Sequence, residues 1–116
     1  MEKWLSEGPH LPGETYRQYI KDLYQHNLLA QNKMHVGGKL VDLARIDMPV
    51  CTITGAADHL VPSVSTTRFV DDLPNAKDKT QFAAKSGHIG LSVSSKSHKE
   101  LWPKIVHWFA QHADKA

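Results

Sequence analysis

Two segments of the sequence combine residue types that can move protons. Asp58 opens the segment Asp58–Pro62, and His88 lies in the glycine-flanked segment Gly87–Gly90. A carboxylate that holds one imidazole nitrogen leaves the other nitrogen able to act as a base. This chemistry is the acid and histidine part of a nucleophilic triad, so we predict Asp58 and His88 as a catalytic pair.

Each of these residues also has a structural explanation when it is taken alone. An aspartate that follows a strand is a common cap or turn residue, and a histidine between glycines can be an ordinary loop residue. The functional prediction depends on finding the acid and the histidine in this order, each after a predicted strand.

The elements that must position the pair follow the order strand, helix, strand, helix. Met48–Gly55 is rich in β-branched residues and predicts a buried strand. Pro62 suits the first turn of a helix that runs to about Leu73, and Lys79–Ala84 predicts a second strand. A C-terminal amphipathic helix, with Pro103 in its first turn, is predicted from apolar and aromatic spacing at Leu101, Ile105, Trp108, Phe109 and His112.

This order predicts an α/β fold in which two parallel strands are joined by a right-handed crossover. Sites in such sheets form at the carboxyl ends of the strands, where Asp58 and His88 would meet. Acid before histidine is also the chain order of α/β hydrolases. Two parallel strands alone leave an unpaired edge, so we expect an incomplete sheet with flanking helices.

The segment before these strands predicts a helix and a tight turn. An apolar stripe at helical spacing indicates a packed helix that ends near Asn27, and Gly37 and Gly38 suit a turn between short extended pieces. The stripe consists of Tyr16, Tyr19, Ile20, Leu23 and Tyr24.

No nucleophile in the sequence has the glycines of a strand-to-helix elbow. Cys51 lies within the first predicted strand without glycine two residues away on either side, so we interpret it as a small buried apolar residue. Ser92 has Gly90 before it but Ser94 after it. We therefore expect the nucleophile, the rest of the sheet and the oxyanion-hole donors to lie in sequence absent from this chain.

Composition favours a cytoplasmic globular chain. The 116 residues carry a net charge of +2, which does not indicate nucleic-acid binding. The single cysteine fits a reducing compartment, and no apolar run is long enough for a membrane span. Neither His-x-x-x-His nor Cys-x-x-Cys spacing occurs, so we predict neither a metal site nor a bound cofactor.

These motifs together resemble the C-terminal part of the polyhydroxyalkanoate (poly-3-hydroxybutyrate) synthases of the α/β-hydrolase superfamily. The pattern is most similar to the synthases that work with a second subunit. The resemblance runs from about Trp4 to Phe109, and the residues that carry it are Val41-Asp42-Leu43, Ile46, Pro49, Asp58-His59-Leu60-Val61-Pro62, Gly87-His88-Ile89-Gly90, Trp102-Pro103, Ile105 and Trp108.

The resemblance implies an acyltransferase that polymerises (R)-3-hydroxyacyl-CoA and releases CoA, with the coenzyme A thioester as substrate. His88 would activate a cysteine in a Gly-x-Cys-x-Gly elbow, and Asp58 would orient His88 or deprotonate the attacking 3-hydroxyl. The family often has glycine where this chain has Ser86, and a serine hydroxyl there could change the local hydrogen bonds.

The same resemblance implies a division of the chain and a set of partners. Residues 1–34 would be a cap-to-core helical segment, and residues 35–116 the C-terminal part of the hydrolase core. The implied partners are the missing N-terminal part of the synthase, a second synthase subunit and the growing polyester, at the surface of a polyester granule.

Two alternatives remain open at this point. The chain could be the equivalent segment of a serine α/β-hydrolase, an esterase or depolymerase, because the missing nucleophile decides between these enzymes. It could also be a non-catalytic module that docks on a full-length subunit through its unpaired sheet edge. Exposed apolar surface on the isolated chain would favour the fragment interpretation over the docking module.

Overall fold

The computed structural model describes residues 6–113. The chain forms two compact units, one up to Asp42 and one from Leu43 onwards. The division predicted near residue 34 concerns the roles of the segments and stays a prediction.

The first unit contains a helix and a short hairpin. Helix α1 (Gly13–Gln18) continues directly as a π-helix (Tyr19–Gln25). Strands β1 (His35–Val36) and β2 (Lys39–Leu40) pair antiparallel. The predicted glycine turn between them is confirmed, since Gly37 and Gly38 have φ angles of 57° and 76°. Residues with a side chain rarely adopt such positive φ angles.

The tyrosine stripe of this unit does not pack as predicted. Tyr16, Tyr19 and Tyr24 are exposed, and neither helical segment buries a residue. The helix changes to π geometry at Tyr19, and hydrogen bonds between residues five apart alter the spacing that the stripe assumed from there on. Tyr19 instead donates from its hydroxyl to the hydroxyl of Tyr24 at 3.2 Å, five residues later.

The second unit is a mixed α/β arrangement around two parallel strands. Strand β3 (Val50–Gly55) pairs in parallel with β4 (Lys79–Ala84), from Val50 opposite Lys79 to Gly55 opposite Ala84. Helix α2 (Ser63–Asp71) connects them, with Pro62 immediately before its first residue. The predicted strand, helix, strand order and the parallel pairing are confirmed. Within residues 6–113 neither strand has a second neighbour, as expected for an incomplete sheet.

Three helices follow β4. They are α3 (His88–Val93), α4 (Ser95–Glu100) and α5 (Trp102–His112). The glycine-flanked segment around His88 is not an ordinary loop, because Gly87 caps a helix that begins at His88. Pro103 lies in the first turn of α5, as predicted. In that turn the backbone nitrogen has no helical hydrogen-bond partner, so the missing N–H of proline has no cost.

A small core fixes α5 against the sheet. The Trp108 indole N–H donates to the hydroxyl of Thr80 at 3.0 Å, and His112 Nε2 lies 2.9 Å from Asp78 Oδ2. The buried apolar side chains in the described part of the chain are Leu43, Val70, Leu73, Leu101, Ile105 and Trp108. Trp108 is therefore a core anchor.

No helix among residues 6–113 is long and apolar enough to cross a lipid bilayer.

Candidate active site

Asp58 is held in the turn that follows β3. Its backbone N–H donates to the carbonyl oxygen of Gly55 at 3.1 Å. Its Oδ1 atom accepts the backbone N–H groups of Leu60 and Val61, each at 2.9 Å. This side-chain turn leaves only 4 % of the carboxylate side chain exposed and aims Oδ2 away from the loop's own backbone.

His88 is the first residue of α3 and faces that carboxylate. Its Nδ1 atom lies 2.9 Å from Asp58 Oδ2, and 49 % of its side chain is exposed. Gly87 precedes it in an extended conformation, and the Gly87 carbonyl accepts the N–H of Leu91 at 3.1 Å. The structure therefore brings the two predicted residues, 30 positions apart, into a hydrogen bond.

The loops that carry the two residues are joined backbone to backbone. The N–H of Ala57 donates to the carbonyl of Ser86 at 3.1 Å, and the N–H of Ala56 donates to the carbonyl of Ala84 at 2.9 Å. The approach is close enough to require glycine at position 55, because a Cβ atom there would collide with the Ser86 carbonyl oxygen. The distance between acid and histidine is thus set by main-chain contacts as well as by the side chains.

Hydrogen bonding favours the ionised form of Asp58. The Val61 N–H makes the largest contribution that lowers the pKa of this carboxyl below its ordinary 3.8. His88 and the Leu60 N–H lower the pKa further, against the opposing effect of partial burial. Asp58 is therefore an anion at neutral pH and can accept a hydrogen bond from the Nδ1–H of a neutral imidazole.

The His88 side chain also lines a small cleft. The cleft measures about 240 Å³, and within residues 6–113 the Nε2 atom has no hydrogen-bond partner. It is lined by Ile53, Thr54, Asp58, Val61, Thr66, His88, Leu91, Ser92, Leu101 and Trp102. An imidazole with Nδ1 held and Nε2 open is arranged to exchange a proton with a group placed in the cleft.

Ser92 and Trp102 are among the lining residues of this cleft that the sequence did not predict. Ser92 lies four positions after His88 on α3, and the Trp102 indole N–H donates to its carbonyl at 3.2 Å. Helix α3 was not predicted, so no spacing argument connected Ser92 to His88 from the sequence. Ser92 lies within a helix and not at a strand-to-helix turn, so the structure gives it no elbow geometry.

Cys51 is placed away from this cleft. It is the second residue of β3, half-buried, and absent from the cleft lining. Burial raises the pKa of its thiol, and the nearby charge of Asp78 adds to the effect. A thiol whose anion is disfavoured is a poor nucleophile.

Metal ligation has no support in the described part of the chain. Among residues 6–113, no three potential ligand side chains of the His, Cys, Asp or Glu type come together. The side chains around His88 are mainly apolar or hydroxyl-bearing, which suits proton transfer more than ion binding.

Several curated proteins are similar to this chain. A protein of Haloferax mediterranei named "Poly(3-hydroxyalkanoate) polymerase subunit PhaC" is 47 % identical over 114 residues, which are 98 % of this chain and 23 % of the relative. Proteins with the same name are 44 % identical in Allochromatium vinosum and 41 % identical in Synechocystis, over 93 % and 96 % of this chain. The chain spans 30 % and 29 % of those two relatives, so it matches less than a third of each.

Comparison with solved structures gave no match. Comparison with protein families matched residues 7–113 to the family described as "PHB de-polymerase C-terminus". The relatives and the family together confirm the resemblance to the C-terminal part of polyhydroxyalkanoate polymerases that the motifs predicted. Since the match covers nearly the whole sequence, the chain belongs to the PHB de-polymerase C-terminus family.

Proposed function

We propose that this chain supplies the acid and the histidine of the catalytic triad of a polyhydroxyalkanoate synthase, within an α/β-hydrolase fold. The observation that carries the proposal is the 2.9 Å contact between Asp58 Oδ2 and His88 Nδ1. The open Nε2 atom and the adjacent cleft support it. The polymerase names of the similar proteins favour this enzyme class.

In the proposed reaction His88 is the base. Asp58 accepts the Nδ1–H and so selects the neutral tautomer in which Nε2 is the basic nitrogen. Nε2 takes the proton of a cysteine thiol, and the thiolate attacks the acyl carbon of a 3-hydroxyacyl-CoA thioester. Coenzyme A leaves as a thiolate and takes the proton back from the imidazolium. The acyl group remains on the cysteine, ready for attack by a 3-hydroxyl of the growing polyester.

The nucleophile of this scheme lies outside the 116 residues. The raised pKa of Cys51 and its absence from the cleft lining argue against using it. The elbow cysteine would come from the upstream part of a synthase, which would also add strands beside β3 and the oxyanion-hole donors.

The same proposal assigns the segments and the partners. Residues 1–34 would lead from a cap region into the core, and residues 35–116 would complete the core. The partners would be the upstream sequence, a second synthase subunit and the polyester. The enzyme would act at the surface of the polyester granule. The coenzyme A thioester is the substrate, and no bound cofactor is part of the scheme.

A depolymerase or another serine hydrolase is the second candidate. The description of the matched family, which names a depolymerase, favours it. Asp58 and His88 would play the same roles, and a serine in a Gly-x-Ser-x-Gly elbow would attack an ester in place of a thioester. The two functions therefore differ in the nucleophile and substrate and not in the residues of this chain.

A segment exchange tests the proposal. Residues 1–116 replace the matching segment of the Haloferax mediterranei relative, and coenzyme A release from (R)-3-hydroxybutyryl-CoA is measured. We expect the chimera to release coenzyme A. His88→Ala should lower its rate by a factor of about 10² to 10⁴, the usual contribution of a general base, while His59→Ala, which removes an exposed histidine outside the cleft, should have little effect.

The isolated chain provides the complementary measurement. We expect it to release no coenzyme A above the level of its own His88→Ala variant, because it lacks an elbow nucleophile. Turnover by the isolated chain that depends on His88 would refute the missing-nucleophile account. A chimera that folds but releases no coenzyme A would contradict the assignment of this chain to a synthase.

A further inference from the structure

We infer that a lysine-lined cavity between the end of β4 and helices α4 and α5 binds the phosphate groups of the coenzyme A substrate. The inference rests on the proposed function, and it assigns a place for the part of the substrate that does not react.

The cavity is larger than the cleft at His88 and differs from it in charge. It measures about 500 Å³, against about 240 Å³ for the cleft. Its lining consists of Phe82, Ala83, Ala84, Lys85, Ser86, Ser94, Lys96, Ser97, Glu100, Leu101 and Lys104. Among residues 6–113, neither lysine nor arginine lines the cleft, so this part of the chain gives the cleft no fixed positive charge for a phosphate.

The three lysines reach the cavity from three different elements. Lys85 follows β4, Lys96 lies on α4, and Lys104 lies on α5. The opposing charge in the lining is Glu100, whose Oε2 atom is 4.0 Å from Lys96 Nζ with both side chains mostly exposed. An ion pair of this kind is weak, so the lining keeps an excess of positive charge that suits a polyanion.

The cavity is adjacent to the catalytic pair. Ser86 lies in its wall, two residues before His88, and Leu101 lies in the walls of both the cavity and the cleft. Leu101 is buried, so the cavity and the cleft share a wall residue that is packed in the core. The flexible arm between the phosphates and the sulfur of coenzyme A is longer than the width of the Leu101 side chain. The phosphates could therefore bind among the lysines while the thioester reaches Nε2.

The interior of the cavity suits the remainder of such a ligand. Phe82 and Ala84 are half-buried and alternate with exposed residues along β4, so they face the same side as the α5 core. A cationic rim over a partly apolar floor matches a molecule that carries phosphates on an adenosine and a partly apolar arm.

Calorimetric titration of the chain with coenzyme A at low ionic strength tests the inference. The triple variant Lys85→Ala, Lys96→Ala and Lys104→Ala should weaken binding by about tenfold or more, the combined effect of three exposed charges. The control triple variant Lys39→Ala, Lys77→Ala and Lys99→Ala changes the net charge equally at exposed lysines outside the cavity. We expect this control to change the affinity for coenzyme A by no more than about twofold, because its lysines lie outside the cavity and act only through screened long-range charge.

Further ligands separate coenzyme A from other anions. Pantetheine, which lacks the phosphates, should bind far more weakly than coenzyme A. Inorganic phosphate or ATP binding as tightly as coenzyme A would overturn the assignment, since the cavity would then be a general anion site. Equal losses in the two triple variants would overturn it as well. A Lys→Arg triple variant at 85, 96 and 104 should retain binding, which guards against a folding defect in the alanine variant.

The chimera distinguishes the failure of this inference from that of the proposed function. If the chimera is active and the cavity variant keeps its KM for the thioester, the cavity assignment is wrong and the catalytic proposal stands. If the chimera is inactive although the lysines bind coenzyme A, the catalytic proposal is wrong and the binding site stands.

Discussion

The Asp58 carboxylate has two tasks at once. Oδ1 closes the turn by accepting the N–H groups of Leu60 and Val61, and Oδ2 faces His88. Removing the side chain would therefore disturb the loop as well as the histidine. Asp58→Asn is the more informative change, because the amide oxygen can still accept from the loop while the negative charge is lost.

The lowered pKa of Asp58 predicts how this residue affects stability at different pH values. Because the folded state lowers the pKa below 3.8, the ionised carboxylate favours folding. Its contribution is complete above the ordinary pKa and is lost as the pH falls through the lowered one. We expect Asp58→Asn to be less stable than the wild type near neutral pH, and the difference in urea midpoint to disappear at strongly acidic pH.

Urea unfolding of both proteins across the acid range measures this difference. Asp71→Asn, which removes an exposed carboxylate at the end of α2, controls for the loss of one negative charge. A difference between the wild type and Asp58→Asn that stays constant down to strongly acidic pH would show that the charge of Asp58 does not stabilise the fold.

At the scale of elements, the pair depends on two loops that meet after parallel strands. The contacts of Ala56 and Ala57 with the chain after β4 join these loops. Two glycines permit the packing in different ways. A Cβ at position 55 would meet the Ser86 backbone carbonyl, whereas a Cβ at position 90 would meet the end of the Ser86 side chain. A hydroxyl can rotate aside, but a carbonyl moves only with the loop.

This contrast predicts unequal effects for two similar substitutions. Gly55→Ala should destabilise the chain by about 1–3 kcal/mol, as overpacking does, and should lengthen the contact between Asp58 and His88. Gly90→Ala should have a smaller effect, and adding Ser86→Ala should relieve it. Denaturant unfolding and the NMR signal of the His88 ring proton on Nδ1 measure the two effects.

Gly8→Ala is the matched control, since a Cβ at position 8 meets nothing within 4 Å. Equal losses in the Gly55→Ala and Gly90→Ala variants would contradict the distinction between the backbone and side-chain contacts. An unchanged His88 signal in Gly55→Ala would show that the loops do not set the geometry of the pair.

The sequence predicted the strands and the pair because their signals are local. A β-branched run ending at Gly55, and polar residues at the ends of successive strands, suffice for that inference. Helix α4 was not predicted because its six residues, Ser95–Glu100, are all polar and show no apolar residues at helical spacing. The start of α3 was not predicted because Gly87 and Gly90 flank His88 and Ile89, and glycine is unfavourable inside a helix. The π-helix was also beyond prediction, since its hydrogen-bond pattern has no dependable spacing in the sequence.

At the scale of the whole molecule, the chain leaves much apolar surface uncovered. Among residues 6–113, the buried apolar residues all belong to the second unit. Large apolar side chains remain exposed on several of its helices, among them Val64, Val93, Val106 and Phe109 at 71 %, 67 %, 64 % and 63 %. Two parallel strands and a core of this size favour a segment that needs further sequence to cover it.

The exposed surface predicts the behaviour of the isolated chain in a thermal melt with a dye that fluoresces on apolar surface. We expect high fluorescence already at low temperature and only a shallow rise on heating, because the dye finds exposed side chains in the folded state. Val64→Gln with Val106→Lys should lower the initial signal without lowering the melting temperature, since both side chains are mostly exposed. In the chimera with the Haloferax mediterranei relative, the initial signal per molecule should fall as added chain covers these helices. A low starting signal and one sharp transition in the isolated chain would instead indicate a self-sufficient domain, and would favour the non-catalytic docking module over a synthase segment.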